Sequence, residues 1–95
     1  MTIRNIKPIP ARATHPGEIL REELHERGIK QEQFAQMIDV APAFLVDFIN
    51  GKYNLDEEFA KKLDNQLKIP YKIWMSLQIG YNKDVKAIEE KMPNV

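Results

Sequence analysis

Apolar residues recur at helical spacing in five segments of the chain, with charged and polar residues between them. Within each segment the apolar side chains lie three or four positions apart, which places them on one face of an α-helix. No segment has the strict alternation of a strand, and no internal repeat is present. The pattern predicts an all-α fold with helices at about residues 16–27, 31–38, 42–50, 57–67 and 71–80.

Residues with known helix-end preferences support these boundaries. Pro16 and Pro42 suit the first turn of a helix, because the fixed φ of proline fits there and its missing N–H would have been unpaired. Gly28 and Gly51 follow the first and third helices, at positions where glycine tolerates positive φ. Asp56 is expected to cap the N-terminus of the fourth helix.

The second and third predicted helices form a pair joined by a tight corner at Asp39 and Val40. Each helix is too short to be stable alone, so we expect the two to pack at a steep angle. Ala35 is the small side chain that allows their close approach. This layout is typical of a helix-turn-helix unit, whose second helix can enter the major groove of DNA. An ordinary corner within a helical bundle is the alternative.

The two ends of the chain differ from this helical body. Pro8 and Pro10 argue against a helix near the N-terminus and predict an extended arm there. Asn82 and Lys83 are expected to interrupt the helical pattern before a last short helix at residues 84–92. The expected organisation is an extended arm (1–14), a helix-turn-helix domain (15–81) and a C-terminal helix or tail (82–95).

The composition excludes several classes of protein. At 95 residues the chain is one small domain, and the absence of cysteine excludes disulfides and thiolate metal sites. It has neither an apolar run long enough for a membrane span nor a secretory leader, so we expect a cytoplasmic protein. His25 and Glu26 begin like a zinc-protease motif, but Ile29 stands where the second histidine is needed. Because no nucleophile–base pair is present either, we expect no catalytic activity, metal or cofactor.

Charge is balanced over the whole chain but unevenly distributed along it. The formal net charge is zero, which is not typical of a strong non-specific nucleic-acid binder. Residues 1–14 carry a net charge of +3, residues 15–50 carry −4 and residues 51–95 carry +1. The predicted helix-turn-helix pair therefore lies in the acidic part of the chain.

Three short motifs resemble those of a known family. They are THPGEILREE at residues 14–23, GK at residues 51–52 and IWMSLQ at residues 73–78. Through these motifs, and without obvious gaps over residues 14–81, the sequence resembles the HigA/VapI-type antitoxins, a branch of the lambda-repressor-like regulators. The resemblance implies a compact five-helix domain that forms a homodimer, binds operator DNA to repress its own operon, and neutralises a small toxin protein. The toxin in such pairs is usually a ribosome-dependent, mRNA-cleaving protein of the HigB type.

The third helix departs from the family pattern. The resembling proteins usually carry polar residues at its start, whereas this chain has PAFLVD at residues 42–47. Ala43 and Val46 can contact only a thymine methyl group, and Asp47 can accept a hydrogen bond from cytosine but faces repulsion from phosphates. Phosphate contacts are expected from the start of the second helix and the end of the third. The residues expected to face DNA are Lys30, Gln31, Gln33, Pro42, Ala43, Val46, Asp47, Asn50, Lys52 and Tyr53.

The fifth helix carries more apolar surface than a core of this size requires. We expect this surface to mediate dimerisation; the alternative is that the last helix folds back over it within one chain. The residues expected in a dimer interface are Trp74, Met75, Ile79, Val85 and Ile88.

A second function is compatible with the same sequence. Phe44 and Val46 are apolar residues on a helix whose outer side is normally polar. Exposed apolar residues favour protein contacts, so the alternative is a protein-interaction module on a helix-turn-helix scaffold with weak or no DNA binding. The basic arm, at residues 3–12, is the expected contact with a protein partner such as the toxin.

Overall fold

The computed structural model describes residues 12–91 and forms five α-helices there, with no strand among these residues. The all-α, five-helix fold predicted from the sequence is confirmed. None of the helices in this range is long and apolar enough to cross a membrane. Residues 1–11 of the predicted arm and residues 92–95 lie outside the described part. The helices are α1 (Pro16–Arg27), α2 (Gln31–Met37), α3 (Pro42–Ile49), α4 (Glu57–Leu67) and α5 (Tyr71–Lys91).

One apolar core joins the five helices. Both α1 and α2 pack on α3, and α5 packs on α4 and α1. Burial of each large apolar side chain contributes about 1.5–3 kcal/mol relative to its exposure to water, so these contacts stabilise helices that are too short to persist alone. The core residues are Leu20, Leu24, Phe34, Ala35, Ile38, Leu45, Phe48, Ile49, Leu55, Phe59, Ala60, Leu63, Leu67 and Trp74.

Left-handed residues follow the ends of α1, α2 and α3. They are Gly28, Asp39 and Gly51, with φ of 69°, 58° and 86°. After each of them, the N–H of the next residue donates to the carbonyl five positions earlier at 2.9–3.0 Å, which is a Schellman motif. Asp39 thus occupies the left-handed position of the α2–α3 corner, which aspartate tolerates better than most residues. Val40 packs half-buried against the core and closes this corner, as predicted.

Helix α5 is continuous over 21 residues, so the predicted break at Asn82 and Lys83 is wrong. Gln78 Nε2 donates to Asn82 Oδ1 at 3.0 Å, and this contact one turn along the helix bridges the expected break. A single glycine inside the helix, Gly80, costs only about 1 kcal/mol relative to alanine, which does not end a helix of this length. The boundary predicted between residues 81 and 82 therefore falls inside α5, and no separate short helix follows it within the described residues.

Trp74 belongs to the core and not to an outer surface. Its side chain is fully buried within its own chain, among the other apolar core residues. It therefore has no surface to offer a second copy of the chain, and its assignment to the dimer interface is wrong. The apolar pattern could not separate Trp74 from its half-buried neighbour Met75, because the two lie on adjoining sides of α5.

Candidate nucleic-acid interface

Helix α3 presents one side to the core and the opposite side to solvent. Leu45, Phe48 and Ile49 are buried, as their spacing predicts. Ala43 is exposed and Val46 retains 42% of its accessible surface, so the described residues leave this side of the helix open. An uncovered helix side is the geometry that insertion into a major groove requires.

The start of α1 fixes the end of α3 through one buried histidine. His15 Nδ1 accepts a hydrogen bond from the Gly17 N–H at 2.8 Å and caps α1. Because Nδ1 accepts, Nε2 carries the hydrogen and donates it to the Tyr53 carbonyl at 2.7 Å. The ring also lies edge-on to Phe48 and Tyr81, with centroids 5.2 and 4.9 Å away. One imidazole thereby connects α1, α3, the loop after α3 and α5.

The Schellman motif at the end of α3 brings Asp47 and Lys52 together. The Lys52 N–H donates to the Asp47 carbonyl at 2.9 Å, and the Lys52 Nζ atom lies 3.5 Å from Asp47 Oδ1. The pairing reduces the negative charge on a helix side that would otherwise repel phosphate. Because the lysine side chain is 66% exposed, the ion pair contributes only about 0–1 kcal/mol, so Lys52 can exchange its carboxylate partner for a phosphate.

Phe44 turns inward and away from the open side of α3. Its ring stacks on Tyr53 with centroids 5.1 Å apart and meets Phe59 edge-on at 5.5 Å. Phe44 is half-buried and packs against the core, so it is not the exposed apolar residue that an outward protein-binding surface was expected to include. Tyr53 remains 45% exposed beside α3, where it was expected.

The loop after α3 is tied to α5 by Gln78, a residue that sequence reasoning missed. The Leu55 N–H donates to Gln78 Oε1 at 2.7 Å, and Gln78 Nε2 donates to Asn54 Oδ1 at 3.3 Å and to Asn82. Gln78 is buried, so these bonds satisfy an amide that would otherwise be costly to bury. The only signal in the sequence is a glutamine on the apolar stripe of α5. The network holds the loop that carries Tyr53.

The start of α2 offers backbone N–H groups and one cation. Lys30 is the N-cap residue, and no described side chain caps this helix. Lys30 and Gln33 are exposed, and Gln31 is half-buried. At the other end of α2, Lys62 Nζ donates to the Ile38 carbonyl at 3.1 Å and holds the helix against α4. Uncapped N–H groups beside an exposed lysine are suited to a phosphate oxygen.

Two arginines lie beside the far end of α3, and sequence reasoning did not select either of them for DNA. The Arg12 Nη2 atom lies 2.6 Å from Glu18 Oε2; this bond holds the pKa of Glu18 below its ordinary value and raises the pKa of Arg12. Arg21 is exposed nearby. Arg12 precedes α1 and Arg21 lies within it, so only the fold brings these two residues near Asn50. The cleft they share measures about 260 Å³ and is lined by Arg12, His15, Glu18, Arg21, Ile49, Asn50 and Gly51.

Two short helices packed through a tight corner, with the outer side of the second helix open, define a helix-turn-helix DNA-binding domain. A family model described as helix-turn-helix matches residues 20–74, more than half of the chain. The chain belongs to this family, which is a class of DNA-binding regulators and not of enzymes. It is 31% identical over 67 residues to the uncharacterized HTH-type transcriptional regulator YddM of Escherichia coli strain K12, covering 70% of this chain and 71% of that protein.

Solved structures with the same fold include an operator complex and an antidote protein. A Pseudomonas aeruginosa protein in complex with its operator DNA matches with a TM-score of 0.74 and 27% identity, over 90% of this chain and 100% of that one. An addiction module antidote protein of a HigA family from Coxiella burnetii matches with a TM-score of 0.75 and 26% identity, over 85% and 91% of the two chains. The resemblance to HigA/VapI-type antitoxins is thereby confirmed.

Proposed function

We propose that the protein is the antitoxin of a HigB/HigA-type pair and binds its own operator through α3 to repress the operon. The observation that carries this proposal is the open side of α3 at Ala43 and Val46, on a helix whose other side is locked into the core. The likeness of the fold to an operator-bound Pseudomonas aeruginosa protein supports it. The protein would act in the cytoplasm, where its operator lies.

In this proposal α3 enters the major groove with its N-terminal end leading, and the flanking segments contact phosphates. Pro42, Ala43, Val46 and Asp47 then face base edges, because they lie on the open side of the helix. The phosphate contacts are Lys30, Gln31 and Gln33 at the start of α2 and Asn50, Lys52 and Tyr53 after α3. Arg12 and Arg21 extend the basic surface at that second end.

The charges near α3 favour weak binding by the isolated protein. Arg12 and Lys52 are each paired with a carboxylate, which leaves Lys30 and Arg21 as the other cations of the proposed surface. The logarithm of the binding constant falls with the logarithm of the salt concentration, and each phosphate that the protein neutralises steepens this slope by about 0.9. A small number of available cations therefore gives a shallow salt dependence, and base contacts must supply much of the affinity.

We further propose that the operator is bound by a homodimer formed through α5. Met75 and Ile79 lie one turn apart on one side of the helix, and Ile79 is 55% exposed. Val85 and Ile88 lie on a different side of α5 from Met75 and Ile79, because successive residues of a helix are about 100° apart. They continue the side of the helix that carries the buried Gln78. Ile79 is a large apolar side chain that the described residues leave exposed, which is typical of an interaction surface.

The toxin contact is proposed for residues 3–12 of the basic arm, which precedes the helix-turn-helix domain. Ile3, Ile6 and Ile9 recur every third residue, a spacing that suits an arm packed on a partner protein. Most of this arm lies outside the described residues, so its assignment depends on the sequence pattern. The domain itself is proposed at residues 15–81, with the remainder of α5 and the tail after it.

A protein-interaction module remains the second candidate function. The observation that favours it is the exposed apolar Val46 beside the acidic Asp47 on α3. A protein partner tolerates that combination better than a phosphate backbone does. Phe44 no longer contributes to this alternative, because its ring packs inside.

Selection of genomic DNA tests the proposed function directly. The purified protein is mixed with sheared genomic DNA of its source organism, and the bound fragments are sequenced. We expect enrichment of the segment upstream of the gene for this protein, and loss of that enrichment for Val46→Glu. The matched control is Ile73→Glu, which places the same charge on an exposed position of α5 and should keep the enrichment. Uniform recovery of fragments by folded wild-type protein would contradict operator binding.

A further inference from the structure

Helix α3 lacks the side chains that usually distinguish bases by hydrogen bonds. Residues 42–49 contain no arginine, lysine, asparagine, glutamine, serine or threonine. The bidentate contacts that identify guanine and adenine therefore have no donor on this helix. Asp47 is its one polar side chain, and the carboxylate is paired with Lys52 at 3.5 Å. Apart from a hydrogen bond that Asp47 can accept from a cytosine, recognition of bases by α3 depends on apolar contacts.

The open side of α3 presents methyl groups. Ala43 and Val46 are three positions apart, both are exposed, and they share one side of the helix. The bulky side chain between them, Phe44, is held inward by Tyr53 and Phe59, so it does not shield them from DNA. Thymine is the one standard base that displays a methyl group in the major groove. Contact between these methyl groups is favourable because it removes apolar surface from water.

We propose that the protein recognises its operator by contacts of Ala43 and Val46 with the C5-methyl groups of thymines. This inference rests on the proposed function, because it specifies the chemical feature of the operator that α3 detects. It makes the bound half-site rich in A·T pairs opposite α3. It also makes 5-methylcytosine a partial substitute for thymine, since that base shows the same methyl group in the same groove.

Deoxyuridine substitution isolates the methyl group, because it removes the methyl and keeps every hydrogen-bonding group of thymine. The probe is the tightest duplex that the wild-type protein selects from a random-sequence library, and binding is followed by fluorescence anisotropy. Replacing each thymine singly should weaken binding roughly fourfold at each contacted position, the equivalent of one buried methylene, and should have no effect elsewhere. At a contacted position, the T·A pair is also replaced by C·G. Methylation of that cytosine at C5 should then strengthen binding roughly fourfold.

Protein variants show whether the effect comes from α3 and not from the stiffness of the DNA. Val46→Ala removes two methyl groups from an exposed helical position and favours the helix, so the fold is retained. In Val46→Ala the deoxyuridine penalty should disappear at the thymines that Val46 contacts. Ile73→Ala, at a position 49% exposed on α5, should leave every penalty unchanged and serves as the matched control.

The two levels of the proposal fail in different ways. A duplex that is bound sequence-specifically, but loses no affinity on deoxyuridine substitution at any thymine, overturns methyl recognition and leaves operator binding intact. Failure to enrich any duplex, with the protein shown to be folded by circular dichroism, overturns the proposed function and this inference with it. Penalties that persist unchanged at every thymine in Val46→Ala also overturn the inference, since Val46 would then contact no thymine methyl group.

Discussion

Gly17 lies directly against the backbone of Ile49, so the first turn of α1 contacts the last turn of α3 with no side chain between them. A Cβ atom at residue 17 would lie 2.8 Å from the Ile49 Cα atom, closer than real Cβ atoms come. Because the neighbour is backbone, it cannot rotate away as a side chain would. Helices α1 and α3 can therefore pack this closely only because the side chain of residue 17 is a hydrogen atom.

We predict that Gly17→Ala destabilises the protein by about 1–3 kcal/mol, the usual cost of forcing an extra methyl group into a packed contact. The free energy of unfolding is measured by urea denaturation followed by circular dichroism. Gly80→Ala is the matched control: nothing lies within 4 Å of its added Cβ atom, and α5 should gain about 0.5–1 kcal/mol. A Gly17→Ala protein as stable as the wild type would show that α1 and α3 can separate freely.

A second prediction concerns the hydrogen bonds of His15. His15→Phe keeps a ring between Phe48 and Tyr81 but leaves the Gly17 N–H and the Tyr53 carbonyl without their partner. We expect a loss of about 1–3 kcal/mol in the free energy of unfolding for the unsatisfied groups. His25→Phe, on the exposed side of α1, should stay within about 0.5 kcal/mol of the wild type. Equal stabilities of the two variants would contradict a bonding role for His15.

Local signals in the sequence predicted the helix ends well. Pro16 and Pro42 lie at the starts of their helices, Asp56 Oδ1 accepts from the N–H three residues later, and Gly28 and Gly51 have positive φ. Each of these features depends on the residue itself and its close neighbours in the chain. Because capping and left-handed turns are local, the order and bounds of the first four helices followed from residue type alone.

Features that depend on tertiary contacts could not be obtained in the same way. Phe44 was expected outside because of its place on α3, but Tyr53 and Phe59 hold it inward. Gln78 gave no signal of its role, since its three partners come from the loop after α3 and from α5 itself. The candidate site was therefore predictable in its outline and open side, but not in the contacts that hold it.

The Arg12–Glu18 pair predicts a pH-dependent contribution to stability. Hydrogen bonding from Arg12 lowers the pKa of Glu18 below its ordinary value of 4.5, so the contribution is present above that pH and is lost as the pH falls through the lower folded value. Both side chains retain exposure, and water screens the pair, so we expect the effect on stability to be small. In an NMR titration of the folded protein, Arg12→Gln should raise the pKa of Glu18. An unchanged Glu18 pKa would contradict the pairing.

The proposed dimer makes Ile79 the position to test. Ile79→Glu places a charge at an exposed position on the Met75–Ile79 side of α5, where a second copy would bury it without a partner. We expect size-exclusion chromatography with light scattering to show a shift from dimer to monomer, and operator affinity to fall with it. Ile73→Glu introduces the same charge at a 49% exposed position outside the proposed interface and should remain dimeric. A dimer that survives Ile79→Glu places the interface elsewhere.

Reversal of the charge at Asp47 separates the two candidate functions. Asp47→Arg removes a carboxylate from the side of α3 proposed to face the groove, frees Lys52 from its ion pair and adds a cation there. If α3 binds DNA, affinity for the operator should rise, and the slope of affinity against salt should steepen by about 0.9 for each phosphate newly contacted. If α3 instead binds a protein through its acidic apolar side, DNA affinity should not change and the protein complex should weaken.

The control for Asp47→Arg is Glu89→Arg, which changes the net charge by the same amount on an exposed position of α5. General electrostatic attraction would strengthen DNA binding in both variants alike, whereas a contact made by α3 strengthens it only at residue 47. Competition with a non-specific duplex shows whether the increase in affinity is specific for the operator. Should the two variants bind operator equally well, α3 would lie too far from DNA for its charge to act locally, and the protein-interaction function would be favoured.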